Sequence, residues 1–325
     1  MSQRIFLTGA SGCIGHYMAE ALIQETEDEL FLLVRNPDKL KFDYNARPGI
    51  TILQGDMRQI EEFADLLQTM DAAVLAATAW GDPQETYDIN VVKTIRLLNL
   101  LNPEVCQQVI YFSTASILDR NNEPLQAAGE IGTDYIKTKY ACHQQLANLA
   151  IAPRLTVVFP TLVFGGDEQK PYSHISAGLP EVVRWLWLIR FLGADGSFHF
   201  IHGRDIAQVI RYLLKHPAEP GPDGEQEGIR QYVLGNQRTY VNQAIDEVCA
   251  YMGLRTYFRI PLSFWLASTL MKVLRFQVAE WDFFSLQYRH FTHKTVTNPG
   301  TFGLPIYCPN VVDLFRVRGI PAAKK

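Results

Sequence analysis

No stretch of this 325-residue chain is both long enough and apolar enough to cross a bilayer. The best candidate, Pro261 to Phe276, is too short and carries Lys272 and Arg275. Val182 to Leu192 is aromatic-rich but contains Arg184 and Arg190. Both segments suit helices that line a core or an apolar substrate pocket, with peripheral membrane contact as the alternative. Basic runs are missing too. The formal net charge is −4, which argues against nucleic acid as a partner. Cys13, Cys106, Cys142, Cys249 and Cys308 are odd in number and contain no Cys-x-x-Cys pair. That pattern indicates reduced thiols in a cytoplasmic setting, not a disulfide framework. The first predicted strand begins at about residue 4, so no signal or transit peptide is expected. Repeats are absent, and the one biased segment is the Pro, Gly and acid-rich stretch His216 to Gly228, read as a loop.

What is present is alternation. Apolar runs at 4–9, 30–35, 50–54, 71–78, 109–113 and 155–159 read as strands. Helical patterns at 14–24, 60–68, 86–101 and 135–150 lie between them. Strands alternating with helices predict an α/β fold with a doubly wound parallel sheet. The rhythm breaks after residue 160. Further strands are expected at 198–201 and 232–234, and helices at 204–214 and 242–252. The expected division is a dinucleotide-binding domain over 1–163, joined by returning segments at about 198–235. The smaller, mostly helical substrate lobe would take 164–197 and 236–325.

The first strand runs into Thr8-Gly9-Ala-Ser11-Gly12-Cys13-Ile14-Gly15 and then a helix. Such a turn aims backbone N–H groups and the positive end of the helix dipole at an anion. Gly9 permits the tight turn, Gly12 the approach of a pyrophosphate, and Gly15 the close packing of helix on strand. Arg35 ends the second strand, 20 residues after Gly15. An acidic residue there would suit the ribose hydroxyls of NAD. An arginine suits the 2′-phosphate of NADP, with Lys39 one turn on as a helper. Asp56 is placed to accept a hydrogen bond from an adenine amino group, or to cap its own loop. Tyr135 and Lys139 are four apart and share one helical face. A nearby ammonium lowers a phenol's pKa and equips it to pass a proton to or from a carbinol oxygen. Ser113, Thr114 and Ser116 end the fifth strand, where a hydroxyl would orient a substrate oxygen.

These pieces occur together with Ala76-Ala77, Asn90-Val-Val-Lys-Thr94, Phe159-Pro160-x-x-x-Phe164-Gly165 and Phe200-Ile-His-Gly-Arg-Asp205. From residue 4 to about 240 the chain resembles the extended short-chain dehydrogenases/reductases, the NAD-dependent epimerase/dehydratase branch. The resemblance implies a Rossmann-type sheet. It implies Tyr135 as general acid/base, Lys139 on the nicotinamide ribose and Thr114 on the substrate oxygen. It gives Asp56 and Met57 the adenine, and Asn90 the bracing of the site. Gly9, Ser11, Gly12, Cys13, Ile14 and Gly15 would meet the phosphates. Arg35, Ala76, Ala77, Pro160 and Val163 would complete the NADP (or NAD) site. It also suggests a homodimer built on the helices containing 86–101 and 135–150.

Departures carry information. Phe159 stands where the family has arginine, Lys93 where it has glycine, and Leu118-Asp119 where Tyr-Gly is frequent. Ala115 and Ser116 replace the Asp-Glu of dehydratases, whose elimination needs an acid and a base, so dehydration is not expected. Trp185, Trp187, Trp265 and Trp281 suggest a hydrophobic substrate, whereas Arg289 and Lys294 are the lobe's candidates for a diphosphate. The pair His199/His202 is not read as metal ligands, because strand positions three apart face opposite ways, and His290/His293 is not, because no carboxylate or cysteine follows it at ligand spacing. His202 is expected beside Asp205. Three functions stay open: an NAD(P)-dependent oxidoreductase on a carbonyl or carbinol, a nucleotide-sugar epimerase holding NAD, and a catalytically silent scaffold.

Overall fold

The computed structural model describes residues 2–217, 228–262 and 279–323. Seven strands form one parallel sheet: β1 (Arg4–Thr8), β2 (Glu29–Val34), β3 (Ile50–Gln54), β4 (Ala72–Leu75), β5 (Gln108–Phe112), β6 (Leu155–Pro160) and β7 (Arg230–Leu234). Their order is β7-β6-β5-β4-β1-β2-β3, every neighbouring pair parallel. The order reverses between β1 and β4. In doubly wound sheets ligands bind at the carboxyl ends beside that reversal.

β4, β5 and β6 are buried at every position, as strands covered on both faces must be. Alternation then sorts their side chains between two layers. Ile5, Leu7, Val74, Ile110 and Val158 pack under helices Cys13–Glu25 and Gly203–Lys215. Phe6, Ala73, Leu75, Tyr111, Val157 and Phe159 pack with Leu97, Ile136 and Cys142 on the other side. A third core, around Phe164, Leu179, Leu186, Phe200, Val248 and Phe315, joins helices His174–Ile189, Val241–Tyr251 and Val311–Val317. No helix among the described residues is long and apolar enough to cross a membrane.

Several elements are shorter or more broken than their sequence pattern suggests. The helix expected over 86–101 is interrupted by a π-helical turn at Asp88–Lys93. The helix expected over 135–150 stops at His143. The apolar run 71–78 is strand only over Ala72–Leu75, and its last residues turn into a loop at the sheet's carboxyl edge. The strand at 198–201 is interrupted at His199, whose ring donates to the Asn236 carbonyl at 2.7 Å. Most of the loop expected over His216–Gly228 lies outside the described residues. So do Trp265 and all of Pro261–Phe276 beyond residue 262, including Lys272 and Arg275.

Candidate active site

The glycine turn is built to bring backbone close to backbone. Gly9 has φ +80°, and a Cβ there would come within 2.7 Å of the Ala76–Ala77 peptide. A Cβ on Gly15 would run into the Gly9 carbonyl oxygen. Gly12 N–H donates to that same oxygen at 3.0 Å. Gly12 also begins helix Cys13–Glu25 with no capping side chain, which leaves first-turn N–H groups for an anion. Thr8 Oγ1 accepts from the Ala77 N–H at 3.2 Å, fastening the ends of β1 and β4 together.

From this turn a cleft of about 480 Å³ runs over β2 and β3, lined by Gly9, Ser11, Gly12, Arg35, Lys39, Asp56, Met57, Ala76 and Ala77. Two residues not foreseen from sequence, Trp80 and Glu85, also line it. Glu85 stands 4.0 Å from the Arg35 guanidinium, and both are well exposed. Asp56 accepts from the Arg58 backbone at 2.9 Å and from its guanidinium at 2.8 and 3.1 Å, so its carboxyl sits below the usual range. Its capping role and its place on the cleft wall coexist.

A second cleft of about 680 Å³ opens over β5 and β6. Cys13, Ile14, Gly15, Thr114, Tyr135, Lys139, Pro160 and Val163 line it. It shares Gly9, Gly12, Ala76, Thr78 and Trp80 with the first. Thr114 caps a short turn, accepting from the Ser116 N–H at 3.3 Å. Ser113 is buried beside it with an unpaired hydroxyl.

One expectation is corrected here. Lys139 does not turn its ammonium to Tyr135. It is fully buried and donates to the Phe112 carbonyl at 2.8 Å and the Tyr111 hydroxyl at 3.4 Å. Burial pulls the Lys139 pKa down to about 8. Burial also pushes the Tyr135 phenol up to about 12, with the Thr114 hydroxyl beside it pulling the other way. Desolvation dominates in this state, and Tyr135 is a phenol at neutral pH.

Trp80 was missed altogether. Its indole stacks on the Tyr135 ring, centroids 3.7 Å apart and planes 13° apart. Asn90, fully buried in the π-helical turn, accepts from Thr78 Oγ1 and the Ala79 N–H, both at 2.9 Å. It donates to the Ala79 carbonyl and to Thr138 Oγ1, both at 3.1 Å. Thr138 lies on the Tyr135 helix, so one side chain ties the loop to that helix. A π-turn at such a point is a frequent mark of function.

The lobe tryptophans are also corrected. Trp185 and Trp187 face outward, and Trp281 is packed into the main core against Phe284. None of the three lines either cleft, because a helix exposes one face whatever its aromatic content. Arg289 pairs with Asp195 at 3.3 Å, and neither it nor Lys294 lines a cleft. Phe159 is wholly buried against His143, so its departure from the family pattern is a packing matter. The histidine pairs split up. His199 accepts from the His293 N–H at 3.2 Å, while His202 caps helix Gly203–Lys215 and packs on Tyr307. Asp205, on the same helix, accepts from the Tyr307 and Cys308 N–H groups at 2.6 and 3.2 Å.

The family model described as "NAD dependent epimerase/dehydratase family" matches residues 5–235, which hold both clefts. The chain belongs to that family. Sterol demethylase protein B of Methylococcus capsulatus is 26% identical over 249 residues, covering 66% of this chain and 75% of that one. The 2-alkyl-3-oxoalkanoate reductase of Stenotrophomonas maltophilia is 23% identical over 184 residues. The match takes in 51% of this chain and about half (53%) of that relative's length. Among solved structures, the terminal R domain of the myxalamid PKS-NRPS pathway superposes with TM-score 0.68 at 17% identity, covering all of this chain and 93% of the other. The NAD complex of dTDP-glucose 4,6-dehydratase from Bacillus anthracis gives 0.65 at 14%, covering 98% and 96%. At these identities the structures speak for the fold alone.

Proposed function

We propose that the protein is an oxidoreductase that transfers hydride between NADP and the carbonyl or carbinol carbon of an apolar substrate. One observation carries the reading: Thr114, Tyr135 and Lys139 line an apolar cleft that opens into the dinucleotide cleft across Gly9, Gly12, Ala76 and Trp80. A dinucleotide fits the residues present, since the cradle is one that a Cβ would fill and the helix start is uncapped. The Gly9–Gly15 turn would take the pyrophosphate, Arg35 with Lys39 the 2′-phosphate, and Asp56 with Met57 the adenine. Ala76, Ala77, Pro160 and Val163 would flank the nicotinamide, whose bound form supplies or accepts the hydride. Thr114 holds the substrate oxygen. Tyr135, protonated at neutral pH, gives that oxygen its hydroxyl proton as the carbonyl becomes a carbinol.

Three observations weigh against the other readings. Lys139 is the only lysine or arginine among the described residues lining the catalytic cleft, and it is buried, so a sugar diphosphate finds no cation there. Ala115 and Ser116 offer no acid/base pair for dehydration. Phe159 lies off the cleft and gives no reason to expect a silent scaffold. The names of both relatives refer to compounds with large apolar parts, a sterol and an alkyl-substituted oxoalkanoate.

The test is a titration of the protein with NADPH and NADH, followed by turnover on apolar ketones. Tyr135→Phe is expected to bind NADPH unchanged and to lose about 10²- to 10⁴-fold in kcat. Full turnover by that variant, or failure of both dinucleotides to bind, would sink the reading.

A further inference from the structure

Only one residue of the catalytic cleft stacks face to face on Tyr135, and it comes from the loop after β4. Trp80 keeps 65% of its surface exposed. An indole so open gains little from burial at that position, so its stack on Tyr135 is the main contact that places it. The loop is pinned on both sides. Asn90 holds Thr78 and Ala79 through three hydrogen bonds and reaches Thr138 on the Tyr135 helix with a fourth. After Trp80, Gly81 turns the chain at φ +109°, and Asp82 caps the next helix by accepting from the Glu85 N–H at 2.8 Å. The backbones of both stacked residues are therefore fixed by the same buried asparagine.

We propose that Trp80 is a positioning residue for Tyr135: stacked on the phenol, it fixes the ring beside Thr114 and keeps water off one face. The proposal rests on Tyr135 as the proton donor. A phenol's hydroxyl lies in the plane of its ring, so a cover on the face leaves the edge open to a substrate oxygen. Water kept from the ring disfavours phenolate, which agrees with the raised pKa of Tyr135. Trp80 thereby helps to keep the donor protonated to higher pH than an ordinary phenol, which ionises near 10. Its removal lets water stabilise phenolate, and the alkaline fall in carbonyl reduction moves to lower pH. The other ionisable groups lining this cleft are Cys13, Lys139, Tyr172 and His174. Lys139 is on the Tyr135 helix, and the others come from the first helix and from the segment after β6. A Tyr135→Phe background separates their titration from that of Tyr135.

The experiment uses the full chain as wild type, Trp80→Phe, Trp80→Ala, Tyr135→Phe and the Trp80→Ala/Tyr135→Phe double variant. Each is assayed for kcat and KM against pH and for NADPH binding, and its phenolates are titrated by ultraviolet absorbance. Trp80→Ala is expected to lose roughly tenfold to a hundredfold in kcat at saturating NADPH, the scale of a misplaced catalytic group, and the parallel NADPH titration separates that loss from any effect of Trp80 as a wall of the dinucleotide cleft. Its alkaline limb should fall at lower pH, and one phenol should titrate earlier than in wild type. That early phenol should vanish in the double variant. Trp80→Phe, which still stacks, should recover both kcat and the limb. A Trp80→Ala enzyme with wild-type kcat and limb, beside an inactive Tyr135→Phe, would overturn the proposal. Should Tyr135→Phe keep full turnover, the proton-donor assignment fails instead. The phenolate titration, which needs no turnover, then decides whether Trp80 covers the phenol, and an unshifted titration refutes it. Trp80→Leu replaces the alanine variant if that one does not fold.

Discussion

The two clefts that meet at Gly9 and Trp80 are built by opposite means. The dinucleotide cleft is made of backbone and largely exposed charge: a bare glycine turn, an uncapped helix start, Arg35, Lys39 and Glu85 around its rim, and Asp56 held on its wall by Arg58. The catalytic cleft holds a single lysine, and that lysine is buried and committed to the sheet. One region recognises charge at low dielectric cost because its charges stay in water. The other removes charge from water and so raises the cost of ionising anything in it. On the proposed reading, cofactor choice is therefore electrostatic and substrate choice steric and apolar.

The largest effect should come from breaking the first cleft at its closest approach. Gly15→Val puts a branched side chain against the Gly9 carbonyl. The helix must then withdraw from the turn it supports, and NADPH affinity is expected to fall by more than about a hundredfold. Calorimetric titration measures it, and near-wild-type affinity would show that the turn does not hold the dinucleotide. A smaller effect should follow from reversing one charge. Arg35→Glu places a second carboxylate beside Glu85, so the ratio of NADPH to NADH affinity should drop by about tenfold to a hundredfold, the worth of one charge-assisted contact. Turnover with whichever dinucleotide still binds should change little, because Arg35 does not line the catalytic cleft. An unaltered ratio would remove Arg35 from cofactor choice.

The same contrast explains what could be read from sequence. The glycine turn, Arg35, and the Tyr135/Lys139 spacing are local patterns on single elements, and all of these residues line the clefts. The sheet was legible for the same reason, since β4 and β5 follow from the apolar runs Ala72–Leu75 and Val109–Phe112. Trp80 was not legible, because its partner is distant in sequence and the contact depends on Asn90, whose four hydrogen bonds no local pattern encodes. The π-turn that presents Asn90 leaves no mark in a helical periodicity either. Trp185 and Trp187 suggest a substrate contact from composition alone, but composition does not say which face of a helix is covered. The direction of Lys139 failed for a related reason. Spacing puts it on the Tyr135 face, but the Phe112 carbonyl at the end of β5 accepts from its ammonium.

Lys139 also tests whether the second cleft does exclude charge. Its pKa is depressed to about 8 from an ordinary 10.5, so the folded protein disfavours the protonated form by about 3 kcal/mol. The sign follows from linkage. Between pH 8 and 10.5 the unfolded chain holds more protons on this group than the native state does, so wild-type stability rises with pH across that window. Below pH 8 the buried ammonium carries its full cost. Lys139→Met removes the cost but leaves the Phe112 carbonyl without its donor, which returns about 1–2 kcal/mol. The variant should therefore be about 1–2 kcal/mol more stable than wild type at pH 7, while being impaired in turnover. Its advantage should vanish between pH 8 and 10.5 and reverse above that to a deficit of about 1–2 kcal/mol, because the neutral wild-type amine still donates to the Phe112 carbonyl. Denaturant midpoints of the two proteins, compared at each pH, measure the difference. A Lys139→Met variant that is less stable at pH 7, or whose difference from wild type does not change with pH, would show that the ammonium is solvated and that the cleft tolerates charge after all.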